Sequence, residues 1–285
     1  MATYAVVHGA GDVGASWELV GERLRARGHR FVAPDLPCED ETAGFGDYAD
    51  VVADAVRAAW RRAGADGRAD TATGVAPAGP GAPAGPGAAA GPGAAAGPGA
   101  AAADGAPPRP ARDQLVVVAH SLGGYTAPRV CERLPVDLVV LVSAMVPAPG
   151  EPAGDWWAAT GIVDAQRTAR EAGGWTEGDE VAEFLQDVPE PLARQALAQG
   201  RDQAGAPMAE PFPLPAWPDV PTRFLLCRDD RFFPVEWMRG VVRARLGIEP
   251  DEIGGSHAVY LSRPGQLAAR LEAYRSELAA PPPLV

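Results

Sequence analysis

The stretch Gln114-Leu115-Val116-Val117-Val118-Ala119-His120-Ser121-Leu122-Gly123-Gly124 decides how the rest of this chain is read. Leu115 to Val118 is an unbroken aliphatic run without polar alternation, which suits a strand buried on both faces of a parallel sheet. A helix-like segment follows from Leu122 to Leu134. Small residues two before and two after Ser121 permit a very tight strand-to-helix turn. In such a turn the serine takes a strained backbone and projects its Oγ clear of the sheet edge. The neighbouring N–H groups lie at a helix N-terminus and favour a nearby negative charge. The pattern is Gly-x-Ser-x-Gly with Ala119 in the first place. Its bland reading is a glycine-rich turn that happens to contain a serine.

Outward from this turn, strand and helix signals alternate. Thr3 to Val7 reads as a buried strand that runs into His8-Gly9-Ala10-Gly11-Asp12. Glycine after a strand serves a turn of positive φ or presents N–H groups to an anion. Ser16 is placed to cap a helix from Trp17 to Arg27, ended by Gly28. His29 to Ala33 makes a second strand, and Asp47 is placed to cap a helix from Tyr48 to about Arg62. Beyond the serine, Asp137 to Ser143 and Thr222 to Cys227 read as strands, with a helix from Val235 to Leu246 and a short strand around Ile248 to Ile253. Pro264 opens a last helix reaching about Leu278. This alternation predicts an α/β fold with a mostly parallel sheet of about six strands covered by helices on both faces.

Two segments interrupt the alternation. From 64 to 112, Pro80, Pro86, Pro92 and Pro98 recur every six residues in Ala-Gly-Pro-Gly units. This low-complexity insert has little bulky apolar surface to bury and is expected to be a disordered loop. Lengthening a loop from about six to about fifty residues costs only about 2 kcal/mol of closure entropy. The segment 147–217 carries Trp156, Trp157, Trp175, Phe184 and Trp217, with helix signals at Asp179 to Gln186 and Pro191 to Gln199. Lying between two core strands, it is expected to form a cap over the sheet's C-terminal edge. The core is then 1–146 and 218–285. Trp156 and Trp157 come soon after the chain enters the cap and are candidates for a substrate pocket, or simply hold the cap together.

Composition limits the function classes. The 285 residues carry a net charge of −12, and all 25 basic residues other than histidine are arginine. That balance argues against nucleic acid or an anionic membrane as partner. No run approaches the roughly 18 to 20 apolar residues of a membrane span, and no leader pattern precedes the first strand, so a soluble cytoplasmic protein is expected. Cys38, Cys131 and Cys227 are widely spaced and odd in number, giving neither a disulfide framework nor a metal pair. Nothing bears on the oligomeric state.

Ligands of such sheets bind outside the carboxyl ends of the strands. Four polar loops fall there: His8 to Asp12, His120-Ser121, Asp229-Asp230 and Ser256-His257. A serine needs an adjacent base to act as nucleophile. Histidine has the pKa for that work. A carboxylate on the other ring nitrogen fixes the tautomer. Each residue alone has an ordinary structural explanation, and their joint placement is what points to catalysis.

Outside the insert, the whole chain resembles the α/β-hydrolase-fold family, in the branch of small carboxylesterases, plant methylesterases and hydroxynitrile lyases. The matching pieces are His8-Gly9-Ala10-Gly11, Ala119-His120-Ser121-Leu122-Gly123-Gly124, Asp230 four residues before Pro234, and Gly255-Ser256-His257 followed by Leu261-Ser262-Arg263-Pro264. The resemblance implies a triad in the order Ser121, Asp230, His257, with Asp230 favoured over Asp229 by its distance from the proline. It implies an oxyanion hole from the N–H groups of Ala10 and Leu122, with His8 bracing that loop. It also implies hydrolysis of a small, uncharged carboxylic ester with no metal or organic cofactor. A lyase acting on a cyanohydrin with the same triad, and a non-catalytic receptor, are the alternatives. The lyases have Thr beside the oxyanion loop and Lys after the acid, where this chain has Ala10 or Gly11 and Arg231.

Overall fold

The computed structural model describes residues 1–72 and 113–279. The chain forms two compact units, Met1–Val56 with Arg112–Val285, and Arg57–Ala111. The elements run β1 (Ala2–Val7), α1 (Glu18–Arg25), β2 (Arg30–Val32), α2 (Phe45–Ala72), β3 (Gln114–Ser121), α3 (Ala127–Cys131) and β4 (Leu138–Ala144). Then come α4 (Trp156–Thr160), α5 (Ile162–Gly173), α6 (Glu180–Phe184), α7 (Glu190–Gln199) and α8 (Ala206–Ala209). The chain closes with β5 (Thr222–Cys227), α9 (Val235–Leu246), β6 (Asp251–Ile253), α10 (Val259–Ser262) and α11 (Pro264–Ala279).

The sheet order is β2-β1-β3-β4-β5-β6, and every pairing is parallel. β1 and β4 are buried along their whole length, and β3 is buried except at its two end residues. Both alternating sets of side chains are therefore covered, which is why these strands carry Val and Leu without polar alternation. On one face Tyr4, Val6, Val116, Val118 and Val140 pack with Val20 and Leu24 of α1 and Leu267 and Leu271 of α11. The chain leaves β1 toward β2 on one side and β3 toward β4 on the other. The crevice between β1 and β3 is thus the switch point where such sheets bind ligands.

Several local expectations are corrected. Ser16 caps no helix: Gly14–Trp17 is a 3-10 turn, and α1 begins at Glu18 without a side-chain cap. Asp47 lies inside the first turn of α2, where its Oδ2 accepts the N–H of Gly44 at 2.8 Å. This is the backward-reaching half of a capping box. α2 runs on to Ala72, eight residues past the point where the low-complexity insert was expected to begin. The expectation of disorder from there to residue 112 falls outside the described residues. The segment after Ser121 is not one helix but a 3-10 turn, Leu122–Tyr125, followed by the short α3. In the segment 147–217, α4, α5 and α8 were not anticipated: α4 and α8 are about one turn long, whereas α5 does carry an amphipathic pattern that the sequence reading passed over.

This segment is tied down over the strand ends by backbone bonds. Arg201 N–H donates to Gly11 O at 2.8 Å, Ala204 N–H to Cys38 O at 2.6 Å and Ala258 N–H to Phe184 O at 3.2 Å. Gln166 and Gln186 donate side-chain N–H bonds to Phe232 O and Asp229 O. No helix among the described residues is long and apolar enough to cross a membrane.

Candidate active site

Ser121 ends β3 with φ 52° and ψ −124°, a left-handed conformation that non-glycine residues rarely adopt. The surrounding backbone holds it there. A Cβ on Gly123 would lie 2.4 Å from Val7 O, and one on Gly124 would lie 1.8 Å from Met145 O. Both positions must lack a side chain for the turn to pack against β1 and the end of β4. Ser121 O accepts the Met145 N–H at 2.8 Å, and the β3–β4 register slips between His120 and Ser121.

His257 lies in the loop between β6 and α10 and is buried. Its Nδ1 is 2.8 Å from Oδ2 of Asp230, whose other oxygen accepts the N–H groups of Phe232 and Phe233 at 2.9 and 2.8 Å. A carboxylate oriented by two backbone donors fixes Nδ1 as the protonated nitrogen and leaves Nε2 as the base. The rings of Phe184, Phe232 and Phe233 surround the imidazole at centroid distances of 5.6, 5.3 and 5.1 Å. Asp229 is exposed and points elsewhere: its Oδ2 accepts the N–H of Gly255 at 2.9 Å.

Ser121 and His257 border one cavity of about 340 Å³, together with Gly9, Ala10, Asp12 and Arg201. Among the hydrogen bonds of the described residues, none joins Ser121 to His257. Catalytic serine–histidine bonds commonly tighten only when substrate is present. A second cavity of about 140 Å³ also opens on Ser121, with Ala10, Leu122 and Trp157 in its wall. The N–H groups of Ala10 and Leu122 are given to no other group among the described residues.

His8 supports the loop that carries Ala10. Its Nε2 accepts the N–H of Leu36 at 3.0 Å, so its proton sits on Nδ1, which donates to Gly9 O at 2.9 Å. Burial lowers its pKa and keeps the ring neutral. Gly11 sits at φ 63°, and a Cβ there would lie 2.4 Å from Arg201 O.

A model described as the alpha/beta hydrolase family matches residues 5–270. The chain belongs to the alpha/beta hydrolase family. Its fold resembles that of polyneuridine aldehyde esterase, at 16% identity, a TM-score of 0.62, and 96% and 99% coverage of this chain and that one. An extracellular alpha/beta-hydrolase from a Paenibacillus species matches at 15% identity and a TM-score of 0.61, covering 96% and 98%. A pyrethroid hydrolase from Sphingobium faniae JZ-2 matches at 20% identity and a TM-score of 0.57, covering 98% of each chain. Comparison with curated protein sequences finds no significant match.

In this alpha/beta hydrolase the two tryptophans expected at the pocket part ways. Trp157 borders the smaller cavity. Trp156 borders neither described cavity: it is fully buried, donates Nε1–H to Val146 O at 3.0 Å, and packs on Phe233 and Trp237 at 5.5 Å each. Its expected place in the pocket is therefore corrected to packing beneath Trp157. Arg231, which follows Asp230, stacks 4.7 Å from the Trp175 ring centroid and donates to Ala182 O. His120, expected at the strand end, and Phe184, one of the segment's aromatics, also border the larger cavity, as do Phe232 and Arg201, which sequence reasoning had not placed there. Phe232 was the most accessible of these, since it follows Asp230 by two residues.

Proposed function

We propose that this protein hydrolyses a carboxylic ester through an acyl-enzyme intermediate. Ser121 Oγ attacks the ester carbonyl while His257 Nε2 takes its proton, and Asp230 holds the imidazole and balances the imidazolium that forms. The oxyanion is received by the N–H groups of Ala10 and Leu122, each worth roughly 3 to 4 kcal/mol at the transition state. The carbon–oxygen bond to the alcohol then breaks, and the alcohol leaves with the proton from His257. Water adds to the acyl-enzyme, gives a proton to His257, and expels Ser121, which regains its proton as the acid departs.

The observation that carries this reading is the 2.8 Å bond from His257 to Asp230 beside a cavity that the strained Ser121 shares. The N–H groups of Ala10 and Leu122, given to no other group among the described residues, support it, as do the names of two solved structures of similar fold, an aldehyde esterase and a pyrethroid hydrolase. The engagement of Arg231 with Trp175 keeps its cation away from the two cavities, which disfavours the lyase alternative.

A fluorophosphonate probe should label the wild type at Ser121 and leave Ser121→Ala unlabelled. The same variant should lose at least a thousandfold in kcat on p-nitrophenyl acetate. Retention of more than a tenth of wild-type kcat would remove Ser121 from the role.

A further inference from the structure

We infer that the two cavities flanking Ser121 divide the ester between them, the acyl group entering the smaller and the alcohol group the larger. The preferred substrates are then esters of a compact apolar acid with a bulkier alcohol that tolerates polar groups. This inference rests on the ester-hydrolase reading and deepens it.

The argument is stereochemical. The carbon attacked by Ser121 carries four groups: Ser121 Oγ, the oxyanion, the alcohol oxygen and the acyl carbon. The oxyanion must face the N–H groups of Ala10 and Leu122. The alcohol oxygen must lie within reach of His257 Nε2, since the base that took the serine proton delivers it there. His257 borders the larger cavity and not the smaller, whereas Leu122 borders the smaller and not the larger. Ala10, Ser121 and Phe232 border both. With the alcohol drawn to His257, the acyl carbon is left facing the smaller cavity.

The two walls differ in kind as well as in size. The smaller cavity is lined mainly by Met145, Trp157, Met208, Phe232 and Phe233, with Gln203 the one polar side chain on it besides Ser121. At about 140 Å³ it is close to the roughly 150 Å³ of an apolar cavity that accepts benzene. It therefore admits an acyl side chain up to about phenyl size and disfavours a charged one. The larger cavity, about 340 Å³, is bordered by Phe184, Leu185 and Leu197 but also by the charged residues Asp12, Glu180 and Arg201. A bulky alcohol carrying hydroxyl or ether groups suits such a wall.

Two ester series measured on the full chain separate the roles. p-Nitrophenyl acetate, butyrate, benzoate and naphthoate vary the acid. Acetates of methanol, benzyl alcohol and naphthylmethanol vary the alcohol. The expected result is at least a tenfold fall in kcat/KM from benzoate to naphthoate, with no such fall along the acetates. Trp157→Ala should recover naphthoate at least tenfold while leaving the ranking of the acetates unaltered. Leu197→Trp, on the larger cavity, should lower the naphthylmethyl acetate rate relative to methyl acetate and leave the ranking of the acid series unaltered. If Trp157→Ala does not fold, Met208→Ala tests the same wall. Fluorophosphonate labelling of the same preparations distinguishes the failures. Labelled enzyme that takes naphthoate as readily as acetate, or that shows the two variants' effects exchanged, overturns the division alone. No labelling and no turnover of any ester overturns the ester reading and the division with it.

Discussion

Nε2 of His120 lies 3.0 Å from the carbonyl oxygen of His257, so the residue before Ser121 holds the backbone of the histidine paired with Asp230. A carbonyl can only accept, so Nε2 must carry the proton. Burial, reinforced by the neighbouring His257, pushes the His120 pKa well below the usual histidine range, and the ring stays neutral. His120 is thus a positioning residue. His120→Ala should lower kcat about tenfold, the loss of about 1.4 kcal/mol at the transition state, with KM changed less than threefold. His120→Gln, which restores a side-chain N–H, should recover part of it. Equal losses in the two variants would mean that the ring's bulk, and not its hydrogen bond, matters.

Neutral buried histidines also make stability depend on pH. His120 and His8 both have folded-state values below the ordinary 6.5, chiefly through burial. Below that value the unfolded chain binds protons that the folded chain refuses. Stability is therefore full above about pH 6.5 and falls as the pH drops, by up to about 1.4 kcal/mol per pH unit for each such ring. Glu272 acts in a lower window: burial pushes it up, yet Arg275, Tyr4 and His29 hold it down to about 2. Urea midpoints at pH 7.5 and 5.5 should show a clear loss at the lower pH. A midpoint that rises on acidification would contradict the neutral state of these rings.

Asp230 and Asp229 should separate sharply in mutation. Asp230→Asn exchanges the acceptor of His257 Nδ1 for an amide and should lower kcat by roughly ten-thousandfold, as wrong-tautomer variants of such triads do. Asp229→Asn keeps an oxygen for the N–H of Gly255 and should cost less than about threefold. Single-turnover kinetics of both variants on p-nitrophenyl acetate make the comparison; similar losses would place the acid wrongly.

Trp156 and Trp157 are neighbours with different expected failures. Trp156→Ala removes a fully buried ring and a donor to Val146 O, and should destabilise the fold by about 3 to 5 kcal/mol. Trp157 is only half-buried, and its truncation should be read in substrate preference. Thermal midpoints of the two variants decide this: a smaller shift for Trp156→Ala than for Trp157→Ala would refute the packing assignment.

The parallel sheet was legible in the sequence because strands buried on both faces, such as Leu115 to Val118, need no polar alternation and stand out as apolar runs. Strand ends bearing Ser, Asp and His then located the candidate site. What was not legible depended on contacts between distant segments. Ser16 looked like a cap because its side chain suits one. The 3-10 turn that displaces it forms where Gly14 packs so closely that a Cβ would lie 1.9 Å from Ala33 O. The cap offered aromatic residues without a period, and nothing local told Trp156, tucked against Trp237, from Trp157 at the cavity. Arg201 joins the site through a backbone bond to Gly11, a pairing across 190 residues that no local pattern reports.

The positive φ at Ser121 restricts which nucleophiles this scaffold can host. A β-branched side chain in that region of backbone space crowds its own main chain, so threonine is excluded at the elbow although its hydroxyl could do the same chemistry. Cysteine, unbranched and of similar shape, fits the same conformation. Exchange to a thiol-based nucleophile is therefore open by a single substitution, whereas exchange to a secondary alcohol would require the turn itself to be rebuilt.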